Sequence, residues 1–304
     1  MAKENALTVA SFIGFGEVAS RFAEALQMHG ARVLAFDVLL ERPGGRETLL
    51  RRVRGDPPQF VPLAELIARA DVVLSTVTTS VALDAAKACA PLLQRGQSFI
   101  DLNATSPATK REICAIIDAS GADFVEGAIL PAVGVMGAKS KVLLCGARAG
   151  ELAAAISNLG LNFHAYGAEI GKASSFKMLR SIFSKGLEAL LIECLLSARR
   201  AGIEHDLWRE IVATMDAASF DEIGGNWIRT HATAHTRRYH EMLQVRDVLR
   251  ELSLDVPMTD ATIRLFGRSD EVALKDAFTT PPATFADVIA ALDARIGSSI
   301  NDKR

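Results

Sequence analysis

The 304-residue chain lacks an excess of charge of either sign: 34 Lys and Arg stand against 36 Asp and Glu, a formal net charge of −2. That balance removes the electrostatic case for a nucleic-acid partner. Cysteine is sparse. The four thiols (Cys89, Cys114, Cys145, Cys194) form no CxxC pair, which argues against a structural zinc site or a disulfide framework and for buried, reduced thiols. No segment reaches the roughly 18 consecutive apolar residues of a spanning helix. The stretch Met1–Gly14 has one Lys beside a Glu and ends its apolar run in a glycine turn, unlike a signal peptide. A cytoplasmic protein with no membrane partner is therefore expected. No nucleophile elbow is present, so acyl transfer has no support. His231 and His235 are four residues apart, but no Glu lies between them as in H-E-x-x-H and no third ligand is evident, so no metal is expected.

What is present is a near-average globular composition, 49% hydrophobic and 23% charged, over a length that suggests about two domains. The first half alternates apolar runs with helical periods. Strands are predicted at 7–13, 32–37, 71–77, 98–102, 123–126 and 141–145, and helices at 17–29, 62–69, 81–94 and 107–120. Nearly all-apolar strands alternating with helices imply a parallel sheet covered on both faces. From Gly171 a helical pattern runs unbroken to Arg200, and only helical patterns follow it. The expected fold is α/β, a Rossmann doubly wound parallel sheet (1–167), joined by a long helix to an all-helical domain (168–304). Arg42–Pro58, rich in Gly, Pro and Arg, reads as a solvated arm.

The strongest chemical signal is Gly14-Phe15-Gly16-Glu17-Val18-Ala19, a G-x-G-x-x-A string between a strand and a helix. Gly14 permits the tight turn, Gly16 lets a pyrophosphate approach the backbone, and Ala19 lets the helix sit close on the strand. The helix N-terminus offers free N–H donors to the phosphates. Asp37 ends the second strand, 21 residues after Gly16, where an acid accepts from ribose hydroxyls. NAD or NADP is expected, with NAD favoured because Asp37 repels a 2′-phosphate, although the arginine-rich segment that follows could accommodate one. The carboxyl ends of parallel strands bind ligands in such sheets. Val77, Thr78 and Asn103 stand there, and the Asn103 amide, with both a donor and an acceptor, suits nicotinamide or a carboxylate. Ser106-Pro107 reads as a helix start. Lys177, one turn into the long helix, is a candidate proton shuttle, and a solvated helix lysine is the alternative. Arg180 and Ser181 follow on the same face. His235, Arg237 and Arg238 form a second candidate cleft-lining stripe, with solvent exposure as the alternative.

These residues resemble the β-hydroxyacid dehydrogenase superfamily, which includes the 3-hydroxyisobutyrate and 6-phosphogluconate dehydrogenases, over nearly the whole chain. Gly14–Ala19 is similar to its GLGxMG turn, and Asp101–Pro107 to its D-x-S-T-x-x-P segment, with Asn103 and Ala104 replacing Ser and Thr. Ala132–Ala138 is similar to its S-G-G-x-x-G-A substrate loop, with Ser and the first Gly lost and Gly134 kept. Ala173–Ser181 is similar to its G-x-G-x-x-x-K-x-x-N-N helix, which puts the catalytic lysine on Lys177 and replaces the two Asn with Arg180 and Ser181. The departures are similar to a branch of phosphogluconate dehydrogenase-like NAD-binding proteins. The resemblance implies a homodimeric NAD(P)-dependent dehydrogenase. Lys177 is its general acid–base group, and Arg180, a permanent carboxylate or phosphate binder, points to an anionic 3-hydroxy acid or sugar acid. In this reading Asn103, Gly134, Arg180, Ser181, His235 and Arg238 bind substrate. Gly14–Val18, Asp37, Val77, Thr78 and Asn103 bind the cofactor. An imine reductase and a non-catalytic NAD(P)-binding protein are the rival readings; the family's imine reductases usually place Asp or Tyr where Lys177 stands.

Overall fold

The structure, a computed structural model, describes residues 8–130 and 133–301. Leu7 of the first predicted strand and Ala132 of the predicted substrate loop lie outside the described residues. The chain divides into two compact units, Met1–Ile182 and Phe183–Arg304.

Among the described residues the first unit carries eight strands: β1 (Val9–Ile13), β2 (Arg32–Phe36), β3 (Gln59–Phe60), β4 (Val72–Ser75), β5 (Ser98–Asp101), β6 (Asp123–Leu130), β7 (Lys141–Cys145) and β8 (Phe163–Gly167). They form one sheet in the order β3-β2-β1-β4-β5-β6-β7-β8. The helices of this unit are α1 (Glu17–Met28), α2 (Gly45–Leu50), α3 (Leu63–Arg69), α4 (Ala82–Cys89), α5 (Pro107–Asp118), α6 (Val133–Met136), α7 (Ala149–Ser157) and the start of α8 (Lys172–Arg200). Successive side chains of a strand face opposite ways, and both faces are buried. Phe12, Val72, Leu74, Ile100 and Val125 pack with Phe22 and Leu26 of α1 on one side. Ile13, Val73, Phe99 and Phe124 pack with Leu66, Ile67, Ile113 and Ile117 on the other. This is the doubly wound Rossmann arrangement expected from the alternation.

β3, β8 and α7 were not predicted from the sequence, and three further features differ from its reading. β6 and β7 pair antiparallel, because the connection between them is shorter than a parallel crossover requires. The segment read as a solvated arm is anchored: α2 lies within it, Leu49 is fully buried, and the Ser20 hydroxyl donates to the Arg52 carbonyl. The compact unit also runs past 167 to Ile182. The reason is visible at Glu126, whose fully buried carboxylate accepts from Gly171 N at 2.5 Å and Ser174 N at 2.6 Å. It holds the first turn of α8 onto β6, where a negative charge complements the free amides of a helix start.

The second unit holds the rest of α8 with α9 (Glu204–Asp216), α10 (Phe220–Glu251), α11 (Pro257–Glu271) and α12 (Phe285–Asn301). Among the described residues it is all-helical, as its sequence periods predict. Ser219 and Glu222 close a reciprocal capping box on α10. Glu193 of α8 accepts from Met258 N, Thr259 N and the Thr259 hydroxyl at 2.7–2.8 Å, fixing the start of α11. The buried core cluster here is small, Ala232, Leu274 and Val288, while Phe183, Leu187, Leu190, Trp208, Phe220 and Trp227 are each at least 40% exposed.

Candidate active site

The sheet order reverses direction at β1 and β4, and ligands bind outside the carboxyl ends of strands at such a switch point. A cleft of about 560 Å³ opens there, lined by Gly14–Gly16, Asp37–Leu39, Arg52, Thr76–Thr78 and Asp84. Gly14 has φ +82°, and a Cβ on it would stand 2.8 Å from the Thr76 carbonyl. Only glycine fits that turn. A Cβ on Gly16 would meet nothing within 4 Å, so the backbone at the start of α1 is open to a close approach. The predicted cofactor residues Gly14, Phe15, Gly16, Asp37, Val77 and Thr78 come together in this cleft. Glu17 lies one step along α1, where Gly134 of α6 packs over it: a Cβ on Gly134 would sit 3.2 Å from Glu17 Oε1. Val18 packs against the sheet core. The Phe15 side chain is itself buried, edge-on to Phe60 at 5.2 Å, so its backbone faces the cleft while its ring belongs to the core.

A second set of residues stands at the ends of β5 and β6. Asp101 is fully buried and lies 2.8 Å from the equally buried Lys110 ammonium. Lys110 also donates to the Asp101 carbonyl at 2.8 Å. The Asn103 Nδ2 donates to Ser75 Oγ at 2.9 Å and to the Asp101 carboxylate. Those contacts fix the amide's orientation, since a carboxylate can only accept. The donor half of Asn103 is therefore consumed, and the expectation that it could hold a carboxylate through its amide N–H is corrected. Its Oδ1 remains a buried acceptor with no partner. Asp101 and Glu126 are paired in register across β5 and β6. The anchor for the start of α8 thus stands one strand away from the Asn103 network. Ser106 accepts from Thr109 N at 3.1 Å with Pro107 at the first helical position, which is the helix start expected for α5.

On α8, Lys177 is half-buried and Arg180 is exposed. The Ser181 hydroxyl donates to the Lys177 carbonyl at 2.9 Å, so it is engaged within the helix. The stripe predicted from His235, Arg237 and Arg238 does not form. His235 is buried, with Nδ1 2.9 Å from the His231 carbonyl and Nε2 3.1 Å from Asp270. Arg237 is exposed and pairs with Glu241. Arg238 donates to the Trp227 carbonyl at 3.1 Å and to Thr230 Oγ1 at 2.7 Å. His235 and Arg238, three residues apart, share a face of the helix, and Arg237 lies off it; the groups on that face are engaged with Asp270, Trp227 and Thr230. His231, weighed in the sequence only as half of a metal pair, lines with Arg238 an apolar pocket of about 530 Å³. Burial first, then the His235 and Arg238 charges, push the His231 pKa down to about 4. Lys110 and Glu126 were missed. A buried charge has no signature in sequence beyond its polarity.

Among the described residues no group of three or more His, Cys, Asp or Glu is placed to hold a metal ion, and no helix is long and apolar enough to cross a membrane. Cys89, in the floor of the dinucleotide cleft, is pushed up to about 12 by burial. It stays a thiol at neutral pH and is no nucleophile.

Residues 9–161 match the NAD-binding domain of 6-phosphogluconate dehydrogenase. The chain belongs to that family of NAD-binding proteins. A conserved hypothetical protein from Sinorhizobium meliloti 1021 is 32% identical over 96% of this chain and 98% of its own, with a TM-score of 0.60. A conserved protein of unknown function with structural similarity to 3-hydroxyacid dehydrogenases is 32% identical over 88% and 99%, with a TM-score of 0.58. An imine reductase from Myxococcus stipitatus in complex with NADP⁺ shares the fold at 17% identity, over 88% and 96%, with a TM-score of 0.72. The family is one of NAD-binding domains, and the cofactor is NAD or NADP.

Proposed function

We propose that this chain is an NAD(P)-dependent oxidoreductase acting on an anionic 3-hydroxy acid or related sugar acid, with Lys177 as general acid–base group. The observation that carries this reading is the anchoring of α8. Glu126 fixes the helix start beside the Asn103 network, and Lys177 follows within two turns, half-buried. When bound, the nicotinamide supplies the acceptor or donor of a hydride. Lys177 takes the proton of the substrate hydroxyl as its carbon is oxidised, and returns that proton in reduction. Asn103 Oδ1 accepts from a donor such as a carboxamide N–H or the hydroxyl itself, because its own N–H groups are spent on Ser75 and Asp101. Arg180, three residues after Lys177, binds the acid group of the substrate through its planar guanidinium.

The same reading includes a homodimer. The helical unit leaves a groove of about 790 Å³ open, walled by Phe183, Leu187, Trp208, Val212 and Phe220. Its core cluster is too small to account for so apolar a composition. Exposed apolar patches of this kind mark association surfaces, and a second copy of the chain presents the same groove in return.

The test is a dehydrogenase assay on a panel of 3-hydroxy acids and sugar acids with NAD and NADP, run beside a cyclic imine and repeated for Lys177→Ala. Turnover of a hydroxy acid is expected to fall by roughly 10²-fold or more in the variant, the usual scale for a general acid–base group, with nucleotide affinity retained. Unchanged turnover removes Lys177 from the mechanism. Turnover of the imine alone replaces the substrate class, and nucleotide binding without any turnover leaves a non-catalytic binding protein.

A further inference from the structure

The apolar pocket of about 530 Å³ in the helical unit takes no part in the proposed chemistry. It is walled by α10, α11 and α12, and none of its residues lines the dinucleotide cleft. Trp227, Leu265, Phe266, Ile289 and Leu292 supply most of its surface. Trp227, Leu265 and Ile289 are each at least half exposed. A concave apolar wall with a few convergent polar groups is the usual form of a small-molecule site, and the volume lies in the usual range.

The charged groups of this pocket are of one sign. Arg238 of α10 and Arg268 of α11 both line it, and among its described lining residues there is no Asp or Glu. Among the described residues no carboxylate lies within ion-pair distance of either guanidinium. Arg238 is held by the Trp227 carbonyl and the Thr230 hydroxyl, neutral acceptors that leave its charge uncompensated. Asp270, two residues after Arg268, is taken by His235 and the Thr236 hydroxyl. His231 Nε2 lies 2.9 Å from the buried Ser269 hydroxyl, which donates in turn to the Leu265 carbonyl at 3.3 Å. That side of the pocket is therefore satisfied within the protein, and the guanidinium charges are what an occupant has to meet.

An occupant of this pocket needs an apolar body and an anionic head. A planar guanidinium matches a carboxylate through two parallel hydrogen bonds. A neutral apolar molecule leaves both cations without a counter-charge, and a cationic one is repelled. A second copy of the chain meeting this face about a two-fold axis brings the same two cations with it rather than the missing carboxylate.

We propose that this pocket binds an apolar monocarboxylate, an aliphatic acid of medium length, with Arg238 and Arg268 at its carboxylate and Trp227, Phe266 and Ile289 along its chain. The inference rests on neither the dinucleotide nor Lys177, so its test is a binding experiment on the full chain. Calorimetric titration with decanoate, decanol and decylammonium, each below its aggregation concentration, reads it directly. Decanoate is expected to saturate one site per chain and to bind at least about tenfold more tightly than decanol, as one charged hydrogen-bonded contact allows. Decylammonium is expected to bind more weakly than either. Raised salt weakens decanoate and leaves decanol unchanged. Arg268→Ala removes a guanidinium that has no carboxylate partner. It keeps the melting temperature and lowers decanoate affinity by about tenfold, with decanol little changed. Ile289→Trp fills the pocket and weakens decanoate and decanol together. Three results overturn the proposal: no saturable decanoate binding, as when a second copy fills the pocket; decanol or decylammonium bound as tightly as decanoate; or decanoate affinity unmoved in either variant.

Discussion

The Lys110 ammonium lies 2.8 Å from the Asp101 carboxylate, and neither side chain is reached by solvent. Desolvation of each ion is offset by the other and by the Asp101 carbonyl, which also accepts from Lys110. Lys110→Met leaves a carboxylate buried without a counter-charge. Such a loss costs roughly 3–5 kcal/mol. Urea unfolding of the variant should show a drop of that size, and a drop below about 1 kcal/mol would mean the pair behaves like a surface one.

Gly14 and Gly16 separate folding from binding. Gly14→Ala forces a Cβ to within 2.8 Å of the Thr76 carbonyl at a left-handed φ, so it lowers thermal stability as well as nucleotide affinity. Gly16 has φ −91° and open space above it. Gly16→Val therefore keeps a melting temperature close to wild type while nucleotide affinity falls by about tenfold or more, the scale of losing phosphate contacts to the helix start. Melting curves paired with calorimetry check both, and an equal loss of stability in the two variants would contradict the geometry.

Much of this fold was legible in the sequence because its strands are short, apolar and punctuated by glycine. The glycine turn, Asp37 and the helix start at Ser106-Pro107 were readable because each rests on a local backbone rule. The antiparallel β7 was not, since strand direction depends on a connection length that periodicity does not report. Asn103 was legible as a site residue but not in its hydrogen-bonding sense, which depends on Ser75, 28 residues away. His235 looked like a cleft residue because helical spacing gives the face of a helix but not what covers that face. Here Asp270 of α11 does.

His231 supplies a pH dependence with a definite sign. Its pKa falls from 6.5 to about 4 in the folded chain, chiefly through burial, so the unfolded chain binds the proton more readily. Stability is fully present above pH 6.5, declines as pH falls from 6.5 to 4, and levels off below that. Denaturant titrations across this window should show the decline, and His231→Gln should flatten it. An unchanged slope in the variant would assign the effect to other groups.

The exposed apolar groove of the helical unit predicts a dimer that a single charge disrupts. Leu187 and Val212 both wall this groove. Leu187→Asp and Val212→Asp should each convert a dimer to monomer in size-exclusion chromatography with light scattering, because a desolvated charge without a partner costs several kcal/mol at an interface. A wild-type monomer, or variants that remain dimeric, would dissociate the groove from assembly.

Glu126 binds two amides at the root of α8. The location of residue 177 is thereby inherited from the sheet through the main chain, whatever side chain stands there. Exchanging the lysine for a phenol or a carboxylic acid would leave the root in place and alter only the group presented. One rigid frame can in this way be handed from one chemistry to another by a single codon, with its nucleotide half untouched.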